Sequence, residues 1–159
     1  ANIDFMILCL DQLSQDHCIQ IATHLANLMK VSETVAVRRR AGQALVGMME
    51  NLPYGARNEI AVELINALDL GDYQFTKYIP EFLGEILFYL MPEELDETLD
   101  EMEERMLVRG ESTSIAIQRT FGVMLQNMDK YIPEGKEEDP DIKNRRLRIL
   151  YQTAATSLH

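Results

Sequence analysis

Val37-Arg38-Arg39-Arg40-Ala41-Gly42-Gln43-Ala44-Leu45 is a segment with small and apolar residues at helical spacing, and its pattern occurs twice more downstream. The later copies are centred on Gly84 and Gly122, which lie 42 and 38 residues after the preceding glycine. Each copy is followed by a proline that ends the apolar pattern: Pro53, Pro92 and Pro133. A period near 40 residues predicts a repeat of two helices that stacks into an α-solenoid.

Composition limits the class of protein. The chain has 159 residues, of which 47% are hydrophobic and 26% charged, so it can bury a core as one domain spanning 1–159 or as an excised piece of a longer array. No apolar run approaches the roughly 18 to 20 residues of a membrane span, and no basic flank precedes the apolar N-terminal segment. Two cysteines, Cys9 and Cys18, are too few for a disulfide framework. We therefore expect a soluble, cytoplasmic protein.

The net charge of −11 is concentrated in the middle of the chain. Residues 93–133 carry ten acids and four bases, whereas residues 1–53 carry five and four. A surface that follows nucleic acid or anionic lipid needs clustered Lys and Arg, so this balance argues against both partners. It favours a protein or peptide partner, and we expect that partner to carry basic residues that complement the acidic chain.

Apolar periodicity and breakers predict eight helices and no strands. Ser14 and Asp139-Pro140 are expected to start helices, Ser112 or Thr113 to cap another, and Pro80 to lie in the first turn of a helix after a short lead-in turn. The segment 133–139 has no apolar periodicity and predicts an exposed loop. The predicted helices cover 3–13, 15–30, 33–52, 54–70, 73–91, 92–109, 112–131 and 140–158, with a repeat core at about 15–133. Pro80 interrupts the helix over 73–91, either in the first turn of a helix that starts near Ile79, which we favour, or as a kink in a longer one.

The segment that begins Val37-Arg38 and continues with Ala41, Ala44 and Leu45 resembles the second helix of HEAT repeats. In the later copies Pro80 and Gln118 occupy the position of Arg38, so those copies share the spacing more than the residues. The resemblance implies an all-α fold, a right-handed α-α superhelix of about eight antiparallel helices in HEAT-like pairs. It also implies an armadillo-type interaction module and no particular reaction.

The three glycines need a physical reason, because glycine costs about 1 kcal/mol relative to alanine inside a helix. Close approach of neighbouring second helices is the reason we expect at each of them. In the same register Arg39, Glu81 and Arg119 are equivalent, which predicts a ladder of alternating charges across the repeats.

Residues that are equivalent across the second helices, but off their apolar stripe, should line one continuous concave surface. Tyr89 is the expected anchor there, because an aromatic ring with a hydroxyl supplies a large contact area at low entropy cost. The competing site is the acidic helix from Glu93 to Glu104, which is either a solvated outer face or a docking patch for a basic partner. The candidate binding residues are Arg39, Gln43, Glu81, Glu85, Tyr89, Arg119, Gln126 and Asn127.

Motifs of catalysis are missing from the sequence. His17, Cys18 and His24, with Cys9, lack the two ligand pairs typical of a tight zinc site, and no phosphate loop, serine elbow or metalloprotease motif occurs. We therefore expect no enzyme activity, no metal and no cofactor. Three functions stay open: a protein-binding scaffold, a regulatory or accessory domain of a larger enzyme or signalling protein, and a HEAT-like nucleic-acid enzyme, which would need a basic groove.

Overall fold

The computed structural model describes Ile3, residues 14–70 and residues 76–157, with side chains described up to residue 153 except that of Leu70. This part of the chain contains seven α-helices and no strand, which confirms the all-α class. Short 3-10 turns at Met49–Asn51 and Leu87–Tyr89 prolong the second and fourth helices. The predicted helix over 3–13 lies outside the described residues, apart from Ile3. The α-helices are α1 (Gln15–Val31), α2 (Val35–Met48), α3 (Tyr54–Leu70), α4 (Ile79–Ile86), α5 (Pro92–Val108), α6 (Glu111–Tyr131) and α7 (Pro140–Ser157).

Local signals set most helix starts as predicted. The Ser14 hydroxyl accepts a hydrogen bond from the amide of His17, and the carboxylate of Asp139 accepts one from the amide of Asp141. Pro80 lies in the first turn of α4, after a turn at residues 77–78. The predicted cap of α6 is wrong: Gly110 occupies the cap position, and the buried Thr113 hydroxyl donates to the carbonyl of Leu68 instead.

The helices pack as consecutive pairs. We call α1, α3 and α5 the first helices and α2, α4 and α6 the second helices. Each first helix packs against the second helix that follows it in the chain. The second helices also pack on one another in sequence order, α2 on α4 and α4 on α6. Leu45, Leu83 and Phe121 are almost completely buried where these layers meet. The last helix, α7, packs against α6.

Glycines allow the second helices to approach closely at two of the three predicted positions. A Cβ on Gly42 would overlap the ring of Phe82, and a Cβ on Gly84 would lie 2.5 Å from a methyl carbon of Val123. Each glycine therefore receives a side chain from the next second helix, which confirms the expectation there. At Gly122 the expectation is wrong, since a Cβ would meet nothing within 4 Å among the described residues.

Ion pairs join the first helices along the opposite edge of the array. Lys30 of α1 pairs with Glu63 of α3 at 2.5 Å, and Arg105 of α5 pairs with Asp69 of α3 at 2.8 Å. The ladder predicted for the second helices is wrong, because the described residues contain no ion pair between Arg39 and Glu81 or between Glu81 and Arg119. Ion pairs link neighbouring first helices instead, whereas the second helices are joined mainly by apolar contact and by the pair of Glu85 with Lys130.

Arg57, near the start of α3, donates hydrogen bonds to carbonyl groups at the ends of two second helices. Its Nε donates to the carbonyl oxygen of Leu52 at 2.8 Å, and its two terminal nitrogens donate to those of Tyr89 and Glu50 at 2.9 and 3.0 Å. The guanidinium also lies over the ring of Tyr54, 4.5 Å from its centroid. The last carbonyls of a helix lack intrahelical partners, so Arg57 fixes the junction between two repeats.

Candidate functional site

Five of the eight candidate residues are exposed on the second helices. Arg39 and Gln43 lie on α2, Glu81 on α4, and Arg119 and Gln126 on α6; together they define the second-helix surface. Glu81, Arg119 and Gln126 line one cavity of about 270 Å³, so α4 and α6 bring these three side chains together. Lys77 lines the same cavity from the turn that precedes α4.

Tyrosine 78 connects α2 with the start of α4 on this surface. The guanidinium of Arg39 lies 5.2 Å from the centre of the Tyr78 ring, and the ammonium of Lys77 lies 5.1 Å from it. Cations over an aromatic face are attracted by the ring quadrupole. Tyr78 was not among the predicted site residues, because it precedes α4 and so falls outside the repeat register on which the prediction was based.

The other three candidates are half-buried and hold internal contacts. The Glu85 carboxylate accepts hydrogen bonds from the Tyr131 hydroxyl at 2.8 Å and from the Lys130 ammonium at 3.1 Å. The side-chain amide of Asn127 donates to the carbonyl of Val123 at 2.8 Å, along its own helix. Tyr89 packs edge-on against the Tyr131 ring, with 5.3 Å between ring centres.

Tyrosine 131 is the centre of an aromatic cluster that the sequence prediction missed. Its ring stacks on Phe88 with 5.0 Å between centres, while Tyr89 covers its edge. Burial raises the pKa of the Tyr131 hydroxyl above its ordinary value, and the hydrogen bond to the Glu85 carboxylate raises it further. The phenol is therefore a stable donor, which orients Glu85 at the end of the second-helix surface.

A cavity of about 630 Å³, the junction pocket, lies where the ends of α4 and α6 meet the starts of α3, α5 and α7. Phe88 and Tyr131 form part of its aromatic wall, and Leu95, Met128 and Ile142 add apolar surface. Its charged lining residues are Glu93, Asp96, Lys136, Asp139, Asp141 and Arg145. None of the eight candidate residues of the second helices lines this pocket, although Glu93 and Asp96 of the acidic helix, the competing predicted site, do. The prediction followed the helix faces and not the junctions between helices.

The acidic helix α5 holds part of its charge in contacts within the chain and leaves the rest exposed. Arg145 of α7 forms two hydrogen bonds to Asp96, at 2.8 and 3.2 Å. Arg148, one turn further along α7, pairs with both Asp100 and Glu103. Three carboxylates of α5 therefore bind a basic segment of the same chain, and α7 extends the ladder of the first helices.

The described residues contain no group of three or more His, Cys, Asp or Glu that could hold a metal ion. His17 contacts the Ser14 hydroxyl, Cys18 is buried, and Cys9 lies outside the described residues. Within the ranges that the structure covers, every helix is too short or too polar to cross a lipid bilayer. The chain matches no known family model, no curated protein and no solved structure.

Proposed function

We propose that this chain is a HEAT-like α-solenoid, a right-handed superhelix of about eight antiparallel helices in pairs, and that it serves as a non-catalytic protein-binding scaffold. The partner, a peptide or a protein domain, binds the second-helix surface on the concave side. The repeated contact of Gly42 with Phe82 and of Gly84 with Val123 supports this architecture, because each second helix stacks on the next in the same way.

One observation carries the binding proposal. Repeat-equivalent positions of the three second helices present Arg39, Glu81 and Arg119, and none of the three has an ion-pair partner among the described residues. Most other arginines of the described chain form ion pairs or donate hydrogen bonds, so two arginines without an acidic partner on one surface are unusual here. Complementary charges on a partner would set its register and speed its association.

A charge exchange tests this proposal without changing the net charge. The variant Glu81→Arg with Arg119→Glu reverses the order of charges around the 270 Å³ cavity. We expect it to lose a protein that the wild-type chain captures from its native cell extract, measured by quantitative mass spectrometry of the captured material. The matched variant neutralises exposed acids of α5, Glu97→Gln and Glu104→Gln, and should retain that protein.

The opposite pattern, in which the acid-neutralised variant loses the partner and the exchanged variant keeps it, would assign binding to α5 and reject the second-helix surface. A nucleic-acid enzyme is supported less well, because the acid Glu81 lies between the bases of the second-helix surface where a phosphate backbone would need continuous positive charge. A regulatory or accessory domain of a larger protein would use the same surface, and the capture experiment applies to it unchanged.

A further inference from the structure

The junction pocket is a separate concave site with an apolar interior. At about 630 Å³ it falls in the size range of ligand pockets, and it is closed on several sides by the ends of five helices and the 133–139 loop. Phe88, Leu90, Met128 and Ile142 supply aromatic and aliphatic surface. It shares no residue with the second-helix surface, so binding in one site can be tested without the other.

The charged groups of the pocket leave an excess of unpaired carboxylate. Arg145 is held by Asp96 through two hydrogen bonds, so this pair is already neutralised. Asp139 accepts a hydrogen bond from the amide of Asp141 and so serves as the cap of α7. The carboxylates of Glu93 and Asp141 have no partner among the described side chains. Of the two basic residues that line the pocket, Arg145 is paired, and Lys136 forms no ion pair with a described residue.

The loop that closes the pocket has a defined path. The amide of Lys136 donates to the carbonyl of Pro133 at 3.0 Å, and the amide of Asp139 donates to that of Lys136 at 3.1 Å, so two turns follow one another. Gly135 adopts a positive φ of 83°, which its turn requires and which other residues rarely take. These turns fix the backbone that carries Lys136 and Asp139 at the edge of the cavity.

We propose that the junction pocket binds an arginine side chain of a partner peptide. The aliphatic part of an arginine would lie on the apolar wall, and its guanidinium would reach the carboxylates of Glu93 and Asp141. An anionic ligand is disfavoured, because Arg145 is already engaged by Asp96 and Lys136 is then the single remaining base beside the carboxylates of Glu93, Asp139 and Asp141. A purely apolar ligand is disfavoured as well, because it would desolvate both carboxylates without compensation.

The test uses an acetylated pentapeptide amide, Ala-Ala-Arg-Ala-Ala, and the same peptide with citrulline, the neutral isostere, in place of arginine. Binding is followed by nuclear magnetic resonance of the methyl groups of Ile132, Ile142 and Met128 in the wild-type chain. We expect saturable shifts with the arginine peptide and binding at least about tenfold weaker with citrulline, as for the loss of one charge-assisted contact.

Two variants locate the interaction. Glu93→Gln with Asp141→Asn should weaken binding of the arginine peptide by about tenfold or more. Glu97→Gln with Glu104→Gln makes the same change in net charge on exposed acids outside the pocket, and it should change binding by less than about twofold.

Equal binding of the arginine and citrulline peptides in the wild-type chain would overturn the proposal, whatever the stability of the variants. The same conclusion would follow if the peptide shifted no methyl group of the pocket, or if both double variants lost affinity equally. Thermal unfolding of each variant separates loss of binding from loss of fold. Failure of this test would leave the second-helix surface unaffected, because the two sites share no residue.

Discussion

The guanidinium of Arg57 donates a hydrogen bond across 2.9 Å to the carbonyl oxygen of Tyr89, and so ties the beginning of one helix pair to the end of that pair's second helix. The same side chain reaches two carbonyls at the end of α2. Three carbonyl oxygens from two second helices thus depend on one arginine. This relationship fixes how the first two pairs are oriented.

Arg57→Lys should lower the free energy of unfolding by about 2 kcal/mol, because a single ammonium cannot reach three carbonyls and hydrogen bonds to charged groups contribute about 1.5–3 kcal/mol each. Urea unfolding monitored by circular dichroism measures the change. Arg119→Lys is the matched control, since Arg119 is exposed, and it should stay within about 0.5 kcal/mol of wild type. Equal stability of the two variants would contradict the role of Arg57.

The three repeat glycines should respond differently to alanine. Gly42→Ala forces the Phe82 ring to move, and Gly84→Ala brings a methyl group against Val123, so overpacking of about 1–3 kcal/mol opposes the gain in helix propensity. Gly122→Ala meets open space and should stabilise the chain by up to about 1 kcal/mol. Thermal unfolding of the three variants should therefore rank Gly122→Ala highest, and a gain at all three positions would refute close helix contact.

The docking of α7 on α5 should depend on Arg148. Hydrogen bonding to Glu103 raises the pKa of its guanidinium, with Asp100 adding to the effect. Arg148→Met should lower the free energy of unfolding by about 1–2 kcal/mol, because the partly buried Glu103 and the exposed Asp100 both lose their partner. Arg146→Met serves as the control: its partner Asp129 is exposed, so a change below about 1 kcal/mol is expected from equilibrium unfolding.

The free energy of unfolding at alkaline pH should depend on the ionisation of the Tyr131 hydroxyl. Its pKa is raised in the folded state by burial and by the Glu85 hydrogen bond. The stabilising contribution is therefore complete below about pH 10, the ordinary tyrosine value, and is lost as the pH rises above it. Urea unfolding at pH 8.5 and pH 11 should show a larger fall for wild type than for Tyr131→Phe. Tyr151→Phe, which changes an exposed ring, should behave like wild type.

The sequence predicted helices well because helix signals are local. Ser14, Pro80, Pro92 and Asp139 start helices through contacts or backbone restrictions within a few residues. Gly42 and Gly84 were also predictable as close contacts, since the repeat period aligns each with the next second helix. The open position at Gly122 was not predictable, because Gly122 has the same spacing in the sequence as the other two glycines. No side chain of the described residues packs against it.

Long-range charge pairing could not be predicted from spacing. Arg39, Glu81 and Arg119 share a repeat position, yet no ion pair joins them among the described residues, because pairing depends on helix rotation and distance as well as register. The partners of α5 were missed for a related reason: Arg145 and Arg148 follow the aperiodic loop, which interrupts the register. The role of Arg57 was hidden because its acceptors are backbone carbonyls, which any residue supplies.

The contacts among the first helices and those among the second helices differ in their share of charge, so they should respond differently to ionic strength. Lys30 with Glu63 and Arg105 with Asp69 join first helices, and Arg145 with Asp96 joins α7 to α5, through charges that added salt screens. The contacts of Gly42 with Phe82 and of Gly84 with Val123 join the second helices and carry no charge. Added salt should therefore weaken the contacts among α1, α3, α5 and α7 more than the largely apolar packing of the second helices, where the pair of Glu85 with Lys130 is the charged contact among the described residues.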